Sequence, residues 1–198
     1  MADRVSGLAR QVLGGALFLF LILATARGQD SSKRIWGAEG HTGFIIVHSP
    51  EVEEASKDAN PVTTNLSINW QNLRKETWNL CECYPRTGFA LAYQAFDNPG
   101  DLGQGVTGSG YLEPVFRLGQ GWAFSFQGEV GLSYLNKPYD EATNPQNQSY
   151  SVRVNAFLSL STALNYRLSP HWQVQAAANY NHISNGSIKQ PNMGINYP

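Results

Sequence analysis

The sequence has few charges, few cysteines and a single long apolar run, and each shortage excludes a class of protein. Of the 198 residues only 15% are charged, and the formal net charge is -1. A nucleic-acid-binding protein needs a concentrated basic surface, so nucleic acid is excluded as a partner. Cys81 and Cys83 are too few for a four-cysteine zinc site or a disulfide framework. Because a bond between residues two apart would be strained, we expect both to act as small apolar side chains.

The long apolar run lies near the N-terminus, at residues 12–24. Two arginines precede it, and Ala24-Thr25-Ala26 after it forms a small-x-small cleavage site. This order is typical of a secretory signal peptide, and the run is shorter than a membrane span of about 20 residues. We therefore assign residues 1–26 to a signal peptide, with an uncleaved anchor as the alternative, and residues 27–198 to one exported domain.

Period-two alternation dominates the second half of the chain. From Trp122 to Tyr134 the even-numbered residues are mostly apolar, and the odd-numbered ones are small or polar. Residues 152–168 and 171–184 continue this phase, which is typical of strands with one apolar and one polar face. Soluble strands usually have about five or six residues, whereas outer-membrane strands need about 9–11. We predict an all-β, antiparallel outer-membrane β-barrel with a polar interior; a soluble β-sandwich or jelly roll is the alternative.

The pattern predicts seven strands. They span 37–48, 64–70, 88–96, 111–118, 122–134, 152–168 and 171–184. Residues 72–87 fit no strand, and Glu129 is expected to pair with Arg153 or Arg167 inside the barrel. Bacterial barrels usually have an even number of strands, and the chain stops where an eighth would begin. We therefore expect an eight-stranded type of barrel whose last strand is missing, from a truncated reading frame or a fragment.

Loop lengths predict the orientation of the strands. The connections at 118–121 and 168–171 are short, whereas 97–107 and 136–149 are long and polar. Outer-membrane barrels have short periplasmic turns and long external loops. The strand that begins at residue 171 is therefore expected to run outward.

His182 and Ser184 keep the apolar phase of that last strand, at its outer end. A polar side chain that faces lipid is unfavourable unless it has a purpose. A nucleophilic hydroxyl needs a neighbouring base, and histidine supplies one. The pair therefore suggests an esterase that faces the acyl chains of the outer leaflet; the alternative is an interfacial strand end that tolerates both residues.

The stretch HISNGSIKQPNMGIN, residues 182–196, resembles the active-site signature of the lipid A 3-O-deacylase (PagL) family, also known as acyloxyacyl hydrolases. The shared features are His-x-Ser-Asn, a short loop with Lys-Gln-Pro-Asn, and Gly-Ile. The resemblance implies a barrel that removes an ester-linked acyl chain from lipid A of lipopolysaccharide, in contact with outer-membrane lipid. It implies Ser184 as nucleophile and His182 as general base, with Asn185 and a backbone N–H near Gly186 stabilising the oxyanion. It implies no metal or cofactor.

The sequence departs from the family pattern at Asn196, where the family has an acidic residue. An asparagine can orient an imidazole but brings no negative charge, and in a serine protease the Asp-to-Asn change lowers kcat about 10⁴-fold. We expect Asn196 to orient His182; a substituting water or a low activity are the alternatives. A non-catalytic structural or surface-binding barrel is the second functional class, and a small transport pore the third.

Overall fold

The computed structural model describes residues 32–198, and the segment assigned to a signal peptide, residues 1–26, lies outside them. Nine strands and two short helices occur in the described part. The strands are β1 (Ser32–Thr42), β2 (Val62–Asn72), β3 (Arg86–Ala95), β4 (Gln104–Glu113), β5 (Val115–Gly119), β6 (Trp122–Leu135), β7 (Val154–Arg167), β8 (Gln173–Ser184) and β9 (Ile195–Tyr197). The helices are α1 (Pro50–Ser56) and α2 (Lys75–Cys81).

All the strands belong to one antiparallel sheet, as the alternation predicted. Their order is β1-β2-β3-β4-β6-β7-β8-β9, and β5 also pairs with β6. Pro114 separates β4 from β5; since proline has no N–H to donate, it interrupts what is otherwise one long strand along β6. The sheet therefore has eight strand positions, and the short β9 occupies the eighth.

Most of the predicted strand bounds are accurate. Five of the seven predicted strands are found within two residues of their limits: 64–70, 88–96, 122–134, 152–168 and 171–184. The first predicted strand, 37–48, is displaced, since β1 spans Ser32–Thr42. By contrast, β4 begins at Gln104, inside the predicted loop 97–107. Glycine and small polar residues dominate its first half, so the sequence there has no apolar stripe to detect.

The unassigned segment 72–87 contains α2 and a bond between its two cysteines, so the expectation of two free cysteines was wrong. Glu82 adopts a left-handed conformation (φ 51°) at the end of α2. The turn brings the Cα atoms of Cys81 and Cys83 to 5.1 Å, a normal separation for a disulfide. Within residues 32–198, no helix is long and apolar enough to cross a membrane.

The faces of the sheet have the reverse polarity of a soluble protein. Along β7 every second residue is exposed, and these residues include Val154, Leu158, Leu160 and Leu164. The alternate residues are buried and mostly polar: Asn155, Ser159, Ser161 and Asn165 are polar, whereas Phe157 and Ala163 are apolar. Buried polar groups need partners, and Asn165 Nδ2 donates to Ser125 Oγ at 2.9 Å. The sheet thus turns its apolar side outward, as a membrane strand does.

The charges inside the barrel pair differently from the prediction. Glu129 accepts hydrogen bonds from Ser109 and Gln127, whereas Arg153 donates to the hydroxyl of Tyr134 at 3.1 Å. The expected pairing of Glu129 with an arginine was therefore wrong. The buried ion pair joins Arg86 and Glu113 at 3.6 Å, because β3 and β4 place these two residues opposite each other.

The apolar core lies at one end of the sheet, beneath the long connections. It consists of Ile45, Ala55, Ala59, Phe96, Leu102, Leu135, Tyr150, Phe157, Ile183, Ile195 and Tyr197. Antiparallel order places α1 and the loops after β3, β6 and β8 at this same end, which we call the loop end. The loops contact one another there: Asn98 donates to the Ala55 carbonyl, and Asn144 to the Asp101 carbonyl.

Candidate active site

The outward direction of His182 and Ser184 follows from the residue between them. Ile183 has no exposed surface and belongs to the apolar core. Since side chains alternate across a strand, its two neighbours point to the outer face. The same alternation acts on β9, where Ile195 and Tyr197 are buried on either side of Asn196. The register pairs His182 with Asn196, so these side chains meet on the outside of the barrel.

The three side chains form a continuous hydrogen-bonded array. Nε2 of His182 lies 2.9 Å from Oγ of Ser184, and Nδ1 lies 2.7 Å from Oδ1 of Asn196. An amide oxygen only accepts, so in the neutral ring Nδ1 carries the hydrogen and Nε2 has the free lone pair. This is the tautomer that a general base for a serine hydroxyl needs. The structure thus brings together Ser184, His182 and Asn196, which the sequence resemblance had singled out.

Gly194 allows the chain to pass directly beneath the imidazole. Its φ of +80° is in the left-handed region that favours glycine, and a Cβ there would lie 2.9 Å from Cε1 of His182. Any side chain at this position would press against the ring. The contact with His182 therefore explains why the motif has a glycine at position 194.

Asn185 and Gly186, the expected oxyanion residues, differ in their surroundings. The Asn185 side chain is buried, and its Nδ2 donates to Ser151 Oγ at 3.1 Å and to the Lys189 carbonyl at 2.8 Å. Its backbone N–H donates to Oδ1 of Asn192 at 2.8 Å. Asn185 therefore anchors the loop instead of facing the nucleophile. Gly186 is exposed, and its N–H donates to no group among residues 32–198.

The loop after Ser184 is held by the loop between β6 and β7. The Met193 N–H donates to the Gln148 carbonyl at 3.1 Å, and the Gly194 N–H donates to the Ser149 carbonyl at 2.8 Å. Ser151 Oγ donates to the Lys189 carbonyl at 2.7 Å. These contacts fix the path of the chain from the nucleophile to β9.

Three polar residues at the site were not singled out from the sequence. Asn192 supports the backbone after Ser184, and the Tyr180 hydroxyl donates to Oδ1 of Asn196 at 3.0 Å. Nδ1 of His48 lies 3.0 Å from Nδ2 of Asn196. Tyr180 shares the even phase of His182 and Ser184, which is a usable signal. His48 precedes β2 and has no such signal, because only the packing of the segment after β1 against β9 brings it here.

An apolar wall adjoins the array on β7. Register pairs Leu158 with His182 and Leu160 with Tyr180, and about half of each leucine surface is exposed. These leucines border the array on its β7 side. Within residues 32–198, no cluster of His, Cys, Asp and Glu is arranged to hold a metal ion.

Comparison with known proteins assigns the chain to a family. The model of the family described as lipid A 3-O-deacylase (PagL) matches residues 62–197, which is more than half of the chain and includes the whole array. The chain belongs to the lipid A 3-O-deacylase (PagL) family. The range that matches the PagL model also contains the motif at residues 182–196.

A solved structure resembles this PagL-family chain in fold. It is the crystal structure of the outer membrane enzyme PagL, with 15% sequence identity and a TM-score of 0.56. The similarity covers 83% of this chain and 94% of that chain. The likeness confirms the antiparallel barrel of outer-membrane type that the alternation predicted. No curated protein matches the chain.

Proposed function

We propose that this chain is a bacterial outer-membrane esterase that hydrolyses the ester bond between an acyl chain and lipid A. The observation that carries the proposal is the Ser184–His182–Asn196 array on the outer, apolar face of the barrel. Membership of the lipid A 3-O-deacylase family supports lipid A as substrate, and the fold shared with the outer membrane enzyme PagL supports the location.

In the first step Ser184 Oγ attacks the ester carbonyl carbon while Nε2 of His182 takes the hydroxyl proton. The 2.9 Å between these atoms allows direct proton transfer. The carbonyl oxygen becomes an oxyanion, and collapse of the tetrahedral intermediate breaks the bond to the lipid A oxygen. His182 returns the proton to that oxygen, so the sugar hydroxyl leaves and the acyl group remains on Ser184.

In the second step His182 removes a proton from water, which attacks the acyl-enzyme. The bond between the acyl carbon and Ser184 Oγ then breaks, His182 returns the proton to Oγ, and the fatty acid leaves. The Gly186 N–H is our candidate to donate to the oxyanion in both steps, because it lies two residues after Ser184 and donates to no group of the described chain. Oxyanion donors often make the largest single contribution to acyl transfer. Asn185 contributes by holding this turn in place.

Asn196 orients His182 but does not neutralise the imidazolium that forms during each step. The loss in a serine protease that carries this change is about 10⁴-fold, and the wrong tautomer of the histidine accounts for it. In the present chain the 2.7 Å contact of Nδ1 with an amide oxygen favours the right tautomer. We therefore expect the chain to be active, with a rate below that of a variant with an acid at position 196.

The test is mass spectrometry of lipid A from outer membranes that contain the full chain. Cells expressing the chain should yield lipid A that lacks one acyl group, and the matching fatty acid should appear. Ser184→Ala should abolish this change. The matched control is Ser187→Ala, which removes an exposed hydroxyl from the same loop and keeps its backbone N–H.

Unmodified lipid A in cells whose membranes contain the folded chain would contradict the proposal and favour the non-catalytic barrel. Deacylation that survives Ser184→Ala would contradict the assignment of the nucleophile. An equal loss in both serine variants would mean that the loop conformation, and not the Ser184 hydroxyl, is what the substitutions disturb.

A further inference from the structure

His48 lies on the segment that continues β1 at the loop end, beside Asn196. The Ile46 N–H donates to the Asn196 carbonyl at 2.8 Å, which joins this segment to β9. Nε2 of His48 lies 2.8 Å from the Met193 carbonyl oxygen. Its Nδ1 lies 3.0 Å from Nδ2 of Asn196 and 3.2 Å from the Ile46 carbonyl oxygen. The imidazole is therefore held between backbone carbonyls and the amide that contacts His182.

These contacts select one tautomer of neutral His48. A carbonyl oxygen only accepts, and each ring nitrogen faces one: Met193 at 2.8 Å from Nε2 and Ile46 at 3.2 Å from Nδ1. A hydrogen on Nδ1 would satisfy only the longer Ile46 contact, whereas a hydrogen on Nε2 satisfies the shorter Met193 contact and lets Nδ1 accept from Asn196. The hydrogen therefore belongs on Nε2. Nδ1 then has a lone pair and needs a donor. Nδ2 is the donating end of the Asn196 amide, and it is the end that faces this lone pair.

The orientation of that amide matters because its two ends differ chemically. With Nδ2 towards His48, Oδ1 faces His182 and accepts from its Nδ1–H. A flipped amide would point Nδ2 at that Nδ1–H, and two donors would face each other. His182 would then lose the contact that keeps the lone pair of Nε2 towards Ser184. The Tyr180 hydroxyl does not select between the two orientations, since it can donate or accept.

We propose that His48 is a positioning residue for the hydrolysis. By accepting a hydrogen bond from Asn196 it fixes the amide orientation, and the amide in turn fixes the base-competent tautomer of His182. The inference rests on the proposed function of Ser184 and adds a residue from a distant part of the chain. A carboxylate at position 196 would not need this help, because its two oxygens both accept.

Two substitutions separate the two hydrogen bonds of His48. In His48→Asn the side-chain oxygen takes the place of Nδ1 and can still accept from Asn196. In His48→Gln the amide nitrogen takes the place of Nε2 and can still donate to Met193, but the acceptor for Asn196 is lost. We expect His48→Gln to lower kcat about tenfold, the lower range for removing a partner that orients a metal-bound histidine. KM should change little, and His48→Asn should retain most of the rate.

The same substitutions in the Asn196→Asp background supply the discriminating control. The expected loss from His48→Gln shrinks to less than about twofold there, because a carboxylate presents an acceptor to His182 in either orientation. If the loss is as large in the Asn196→Asp background as in the parent chain, His48 has only a structural role and the inference is overturned. The same conclusion follows if His48→Asn and His48→Gln are equally impaired in the parent chain.

A spectroscopic measurement keeps the inference testable apart from activity. Long-range ¹H–¹⁵N spectra of the full chain in detergent, recorded at about pH 8 where histidines are generally neutral, report which ring nitrogen carries hydrogen. We expect Nε2–H in His48 and Nδ1–H in His182, and a change in His182 upon His48→Gln. Nδ1–H in His48 would overturn the inference. Wild-type protein as inactive as Ser184→Ala would instead refute the proposed function, and the tautomers would still decide the role of His48.

Discussion

β7 and β8 are neighbouring strands with the same alternation and opposite chemistry on their outer faces at the loop end. Register pairs Leu160 with Tyr180, Leu158 with His182 and Ala156 with Ser184. The β7 members are the side chains expected of a lipid-facing wall, whereas the β8 members are polar: Tyr180 and His182 hydrogen-bond to Asn196, and Ser184 hydrogen-bonds to His182. The difference lies in the next strand along the sheet. β8 has β9 beside it and therefore has partners for its polar groups.

Polar groups on a lipid-facing wall need partners on that same wall. A polar side chain on β7 at these positions would have neither Asn196 nor His48 nearby, and an unpaired polar group in lipid is unfavourable. On β8 the array satisfies its own hydrogen bonds. Its members are partly or largely shielded, with Asn196 only 8% exposed.

The largest loss of activity is expected when β8 carries, at position 182, the residue that β7 has at the paired position. His182→Leu copies Leu158 across the register and removes the general base. The deacylation rate should fall by about 10⁴-fold or more, as when a member of a catalytic triad is removed. The barrel should still insert, because leucine suits the outer face. The rate is measured by lipid A mass spectrometry, and insertion by heat-modifiable migration.

The matched control for this change is His171→Leu, which removes an exposed histidine from the turn before β8. Its rate should equal that of the parent chain. A His182→Leu protein that folds and retains a substantial deacylation rate would mean that the polar residue on β8 is not needed for catalysis.

The second largest effect on activity is expected from a change that increases the chemical difference between β8 and β7. Asn196→Asp keeps the shape of the side chain and adds a negative charge beside His182. Hydrogen bonds to charged groups contribute about 1.5–3 kcal/mol against about 1 kcal/mol for neutral ones, so kcat should rise about tenfold. Steady-state kinetics on lipid A in detergent measures this. An unchanged or lower kcat would mean that charge at position 196 does not limit the rate.

A smaller effect is expected for the neighbour of the array on β8. Tyr180→Phe removes the hydroxyl that donates to Oδ1 of Asn196 and keeps the ring. A neutral hydrogen bond contributes about 1 kcal/mol, so if its loss raises the activation free energy by that amount kcat should fall about fivefold. The control is Tyr166→Phe, since Tyr166 lies on β7 at the far end and stacks against Trp122. Equal effects of the two changes would argue against a link from Tyr180 to the array.

The smallest effect is expected on the β7 wall. Leu160→Ala trims a half-exposed side chain that makes no hydrogen bond to the array, and such surface changes stay within about 0.5 kcal/mol. Activity should change by less than about twofold, measured in the same kinetic assay as Tyr180→Phe. A loss comparable to that of Tyr180→Phe would mean that β7 binds the acyl chain directly, and the wall would then be part of the site.

The accuracy of the sequence predictions follows the strength of the local pattern. β2, β3, β6, β7 and β8 were predicted within two residues because a membrane strand repeats its apolar and polar residues every second position. The first half of β4 was missed because small residues lie on both faces there. The Cys81–Cys83 bond was missed because it depends on the left-handed turn at Glu82.

Some residues of the candidate site were likewise predicted from the sequence, and others were found only in the structure. His182 and Ser184 were found from their phase in β8, and the resemblance added Asn196 from the motif. Asn192 and His48 were not found, because their contacts depend on how the loop after Ser184 and the segment after β1 pack. Asn185 was expected to act on the oxyanion, whereas the structure has its side chain buried under the loop.

The sequence by itself determined the all-β class and the outward phase of His182 and Ser184, because both follow from a local two-residue period. It also contains the motif that resembles the PagL family. Only the tertiary structure decided which partners the outward side chains have. The pairing of β8 with β9 places Asn196 against His182, and the pairing of Ile46 with Asn196 places His48 against the same amide. Hydrogen-bond direction depends on neighbours that are distant in the chain, so no local pattern specifies it.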